Sequence, residues 1–142
     1  MAVLKSKRGE SSVQFLDTAF NIEEFTIRQC MKLPKRSMFF VGERTVNLAS
    51  EMAECLRRAN TIYLDSVEKF DARARLLMQA NQALQCLISK VNLISRLYPE
   101  SLSANILCEW SEMLVEEFKL IAKLKKSDSE RKKKLLSGEN QN

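Results

Sequence analysis

Histidine is absent from this 142-residue chain. Its absence removes the usual general base at neutral pH, the commonest zinc ligand and every Ser–His or Cys–His nucleophile pair. Glycine (three) and proline (two) are scarce, which argues against an all-β sandwich or barrel built on many turns. The longest clearly apolar run, Met38-Phe39-Phe40-Val41, is far shorter than a membrane span, so no membrane partner is expected. Lys5, Lys7 and Arg8 have no apolar stretch behind them, so no secretory signal is expected and a cytoplasmic location is the default. The cysteines (Cys30, Cys55, Cys86 and Cys108) form no CxxC pair. Metal sites need close pairs, so these read as free thiols at or near packing faces. No GxxxxGK[ST] or GxGxxG loop is present to cradle a phosphate. Neither metal nor cofactor is expected, and no motif supports an enzyme.

Hydrophobic residues make up 45% of the chain and charged residues 29%, enough apolar content for one core and one domain. Apolar residues recur at helical spacing in four long segments. The first spans about residues 12–33, with Phe15, Leu16, Ala19, Phe20, Ile22, Ile27 and Cys30 on a broad apolar face, and Pro34 stops it. The second runs from a cap near Ser37 to about Thr61, striped by Val41, Thr45, Leu48, Ala49, Met52, Leu56 and Ala59. The third opens on the capping-box pattern Asp65-Ser66-Val67-Glu68 and ends at Tyr98-Pro99. Along it, Leu77, Ala80, Leu84, Leu87, Val91, Ile94 and Tyr98 alternate three and four apart, which predicts one buried seam. The fourth starts at Ser101 or Ser103 and carries Ile106, Leu107, Trp110, Met113, Leu114, Phe118, Ile121 and Leu124.

Trp110 is expected to be buried, with a partner for its N–H. Phe39, Phe40 and Val41 cannot all be buried by one helical face, so at least one is expected in a subunit contact or beneath a tail. Ser127-Asp128-Ser129-Glu130 reads as a second capping box that opens a fresh turn or a kinked extension. Short connections favour antiparallel neighbours, so the fold class expected is all-α, an antiparallel up-down-up-down four-helix bundle, homo-oligomeric. Residues 1–11 read as a basic disordered tail, 12–124 as the bundle and 125–142 as a basic extension dispensable for folding.

Bundles of this kind often hold di-metal sites built on Glu-x-x-His, which this chain cannot form. Glu112, Glu116 and Glu117, and Glu51 and Glu54, read instead as solvated helix faces. The cations are more informative. The net charge of +5 is concentrated at the ends, with +2 in residues 1–10, +5 in residues 119–142 and −2 in the body between. Arg28, Lys32, Lys35 and Arg36 surround the corner between the first two helices. Arg57, Arg58, Arg73 and Arg75 would cluster at the other end of the second and third. Helix-dipole complementarity explains Arg28, Lys32, Arg57 and Arg58 near helix C-termini, but not Lys35, Arg36, Arg73 and Arg75 near helix starts. The terminal run Arg131, Lys132, Lys133 and Lys134 can neutralise phosphates without reading bases.

One pattern covers about residues 12–124. Cys30-x-x-Leu33-Pro34-Lys35-Arg36 closes a helix, a long helix ends in Arg57-Arg58-Ala59-Asn60-x-Ile62-Tyr63, and Arg73-x-x-x-Leu77-x-x-Ala80 opens a third. It resembles a family of small bacterial four-helix-bundle proteins. That family includes the accessory variability determinant of diversity-generating retroelements and proteins encoded by insertions inside large-subunit ribosomal RNA genes. The resemblance implies a ring-like homopentamer whose basic surface engages a reverse transcriptase and nucleic acid, with Lys35, Arg36 and Arg73 as contact residues. The retroelement members have strongly basic bodies, whereas this body is net −2. Two readings follow: a non-catalytic accessory protein contacting nucleic acid or a reverse-transcriptase-like partner, and a protein–protein interaction bundle with no nucleic-acid role.

Overall fold

The computed structural model describes the backbone of residues 2–140 and the side chains of residues 13–138. Those residues form α1 (Ala2–Met31), a one-turn α2 (Lys35–Ser37), a π-helical turn (Met38–Gly42), α3 (Glu43–Asn60), α4 (Val67–Leu97) and α5 (Ala104–Asn140), with no strand among them. The π-helical turn joins α2 to α3 without a break, so the chain is four long rods. α1 packs on α3 and α5, and α4 packs on α3 and α5, which closes a ring around one core.

Local chemistry sets the rod ends. The last turn of α1 tightens as the Lys32 and Leu33 amides donate to the Gln29 and Cys30 carbonyls, and Pro34 then starts α2 in an extended conformation. In the π-helical turn the Glu43 amide reaches back five residues to the Met38 carbonyl, and the Thr45 hydroxyl donates to the Val41 carbonyl at 2.8 Å. Gly42 is buried there, and a Cβ on it would lie 2.5 Å from the Met38 sulfur. Ser66 caps α4 by accepting from the Lys69 amide at 3.3 Å, one residue later than the capping-box pattern places it. Asp65 instead pairs with the Lys69 ammonium at 2.9 Å. Ser103 accepts from the Ile106 amide at 3.2 Å and opens α5.

The seam of α4 is buried as the 3-4 spacing predicts from Leu77 through Ile94, and Tyr98 at its end is half-buried against the core. Trp110 is buried completely. The apolar face expected on α1 divides in two. Phe15, Ala19, Ile22 and Cys30 turn inward with Thr26, whereas Phe20 and Ile27 face solvent together with Val13 and Met31.

Two boundaries differ from the sequence reading. α1 extends back to Ala2, through the segment expected to be a disordered tail. Alanine, leucine, lysine and glutamate there are good helix formers, and extending an existing helix adds a hydrogen bond for each residue fixed. The side chains of Lys5, Lys7 and Arg8 lie outside those described. At the other end, α5 passes through Ser127–Glu130 without a fresh start. Asp128 is buried against Arg73 of α4 and so does not act as a cap. Packing therefore continues past Leu124, and the segment expected to be dispensable contributes a core-edge contact. Among the described residues no helix is long and apolar enough to cross a membrane.

Candidate nucleic-acid interface

The candidate basic residues read from the sequence lie at the two ends of the bundle. At one end, Pro34 turns the chain from α1 into α2 and sets Lys32, Lys35 and Arg36 on the surface. This corner lies at the C-terminal end of α4, because the Ser37 hydroxyl donates to the Tyr98 hydroxyl. Arg28 is neutralised by Glu24 at 2.6 Å, and Lys32 reaches the Gln29 amide oxygen at 3.3 Å. Lys35 and Arg36 make no ion pair among the described residues. Next to them Phe39 is 77% and Phe40 70% exposed, with ring centroids 5.5 Å apart and nearly perpendicular planes. An open groove of about 530 Å³ runs from Phe39 and Lys35 to Ile27 and Met31 of α1, and Glu43 is the one carboxylate lining it.

The second basic region lies at the start of α4, about 40 Å away at 1.5 Å per residue. There Lys132 pairs with Asp71 at 2.7 Å, and the Arg73 Nε lies 2.8 Å from the Asp128 Oδ2. These contacts bring the C-terminal basic run of α5 beside the first turns of α4. Arg131, Lys133 and Lys134 are exposed, as are Arg58 and Arg75, while Arg57 reaches Glu23 at 3.6 Å.

Arg73, which the resemblance implies as a contact residue, does not lie on the surface. It is buried, and its charge is committed to Asp128. The pair is close but not aligned as a hydrogen bond at Nε, and the Asp128 Oδ1 has no hydrogen-bond partner. Burial pushes the Asp128 carboxyl up, and Arg73 pulls it back. Lys132 is half-buried and partly neutralised by Asp71. Among the described residues, the terminal run thus presents three cations without an ion pair rather than four.

Glu117 is the residue the sequence reading misplaced. It is fully buried, neither carboxylate oxygen has a hydrogen-bond partner, and it does not sit on a solvated face. Burial, with a smaller contribution from neighbouring Glu116, pushes its carboxyl up to about 8. The signal was present in the sequence: Trp110, Leu114, Glu117, Ile121 and Leu124 follow the same 4-3-4-3 spacing as a buried seam.

The Cys30, Cys55 and Cys108 thiols show no activation. Burial pushes Cys30 up to about 11 and raises Cys55, and the exposed Cys108 is raised by its hydrogen bond to Glu112 at 3.5 Å. No group of three or more His, Cys, Asp or Glu side chains is placed to hold a metal ion among the described residues. What the surface offers is fixed positive charge at two ends, with the exposed Phe39 and Phe40 rings at one and the exposed Tyr63 ring at the other. Comparison of the chain with protein-family models, with curated proteins and with solved structures finds no match.

Proposed function

We propose that this chain is a non-catalytic accessory protein of a nucleic-acid process, an oligomeric bundle that meets nucleic acid or a reverse-transcriptase-like partner through its basic ends. The observation that carries this reading is the segregation of free cations. Lys35 and Arg36 stand at one end, and Arg58, Arg75, Arg131, Lys133 and Lys134 at the other, on a chain whose central body is net negative. Fixed positive charge at an exposed end neutralises phosphates and releases their counterions. The family resemblance at the Pro34-Lys35-Arg36 corner points the same way.

The up-down-up-down arrangement is part of the proposal. Residue pairs between neighbouring rods run in opposite directions, with Ser37 meeting Tyr98 and Cys55 meeting Gln79, and with Asp71 meeting Lys132 and Arg73 meeting Asp128. Self-assembly is supported by the outer face of α1. Val13, Phe20 and Ile27 are exposed at seven-residue intervals, and Met31 extends the strip. A ring of five rests on the resemblance.

RNA binding measured across a range of salt concentrations tests the central reading. Affinity should fall linearly on logarithmic axes with a slope of roughly −2 to −4, as for several phosphate contacts. Binding that is absent at low salt would favour the interaction-bundle reading, to which the α1 strip also lends itself. Light scattering at micromolar concentration tests assembly, and a monomer would remove the oligomer from the proposal.

A further inference from the structure

We propose that the corner between α1 and α3 is a platform for single-stranded nucleic acid, on which Phe39 and Phe40 stack unpaired bases while Lys35 and Arg36 hold the adjoining phosphates. This inference rests on the nucleic-acid reading above and adds where the strand lies and in what form it is recognised.

The exposure of the two rings is set by the backbone rather than by loose packing. Ser37 and Val41, on either side of them, are both buried, and the Ser37 hydroxyl is held by Tyr98. The turn that carries them is π-helical, a rare local geometry concentrated at functional sites. With its two anchors inside, the turn directs Phe39 and Phe40 outward. They touch each other edge to face, with centroids 5.5 Å apart. Such a pair occupies one face of one ring, and the high exposure of both rings leaves aromatic faces open to solvent. Those faces are what a base stacks on, and every base has a matching face, so the platform does not select sequence.

The charge around the rings selects the occupant. Lys35 and Arg36 immediately precede the aromatic turn, and Lys32 lies just before Pro34. All three are exposed and none is paired with a carboxylate among the described residues. Glu43 lines the groove beside Lys35 and Phe39, and Glu24 and Glu109 line the neighbouring one beside Lys32. Exposed aromatic rings bordered by free cations match a chain that alternates flat apolar bases with phosphates. A duplex offers its phosphates but hides its base faces, so it gains the charge contribution and not the stacking one.

The test uses the full chain with a uridine homopolymer of roughly 20 nucleotides and a duplex RNA of the same length. The variants are F39A/F40A, F39Y/F40Y and K35Q/R36Q, each checked for melting temperature and for mass by light scattering. Substitution of exposed rings should leave the fold intact. The wild type should prefer the single strand. F39A/F40A should lose roughly ten- to a hundredfold in single-strand affinity with the salt slope unchanged, and should bind duplex as the wild type does. F39Y/F40Y should restore most of the loss, because the aromatic face is kept. K35Q/R36Q should make the single-strand slope shallower by about 1.4 units. Single-strand binding by F39A/F40A equal to that of the wild type overturns the platform while leaving the nucleic-acid reading in place. A wild type that binds neither RNA overturns both. If F39A/F40A changes the mass of the assembly, the rings belong to a contact between copies of the chain, and the platform is overturned in favour of that occupant.

Discussion

The Trp110 indole N–H donates to the Thr26 hydroxyl at 3.2 Å, and both residues are fully buried. The contact ties α5 to α1 through the middle of the bundle, and the Phe25 ring meets the same indole edge-on with centroids 5.9 Å apart. A buried indole without an acceptor costs more than the bond itself contributes, because its N–H has already left water. Thr26→Val is therefore expected to destabilise the fold by about 1–3 kcal/mol in urea unfolding. Thr26→Ser, which keeps the hydroxyl, should cost less.

Arg73 and Asp128 give the second expectation. Removing one partner leaves the other charge buried and uncompensated, so Asp128→Ala is expected to cost about 3–5 kcal/mol. The double variant R73M/D128L replaces the pair with apolar groups and should recover most of that loss. Urea unfolding of the single and double variants measures both. A double variant as unstable as Asp128→Ala would mean that the pair organises the end of α5 in some way other than by charge compensation.

Glu117 makes stability depend on pH. Its carboxyl is pushed from an ordinary value of 4.5 up to about 8 by burial, so between those values the folded chain holds a proton that the unfolded chain releases. Stability is then highest below the lower value, falls as pH rises through the window and levels off above about 8. Glu117→Gln should flatten the profile between pH 5 and pH 8, a range set by the two end values. Melting temperatures across that range for both proteins check the expectation.

The C-terminal run separates charge from packing. R131Q/K133Q/K134Q removes only exposed cations and is expected to leave the melting temperature unchanged. It should make the salt slope of RNA binding shallower by roughly 2–3 units if all three cations meet phosphate. Truncation after Leu124 removes the same cations and Asp128 as well. It also removes Lys125, Lys126 and Lys132, so it should show at least as large a change in slope, together with a lowered melting temperature because Arg73 is left without its partner.

Helical class, the number of rods and most of the core were legible in the sequence because periodicity is local. The buried seam of α4 follows from the spacing of Leu77, Ala80, Leu84, Leu87, Val91 and Ile94 alone. The burial of Trp110 follows from the apolar residues spaced around it, and the end of α1 follows from Pro34. The cations at the α1–α2 corner could also be read directly, since among the described residues none pairs with Lys35 or Arg36.

Which charges are free was decided only by tertiary structure. Arg73 looks like an exposed cation until Asp128, 55 residues later, is brought against it, and Lys132 until it meets Asp71. Glu117 carries a seam spacing, but its charge pointed to the surface. The inward face of α5 took it inside all the same, because position on the helix fixes its direction and burial then shifts its proton. Phe20 and Ile27 share the helical spacing of the apolar face of α1, yet only one side of that helix meets the core. Periodicity along one rod says that a face is apolar. Which neighbour covers it, and which charge meets its opposite, depends on how four rods are placed together.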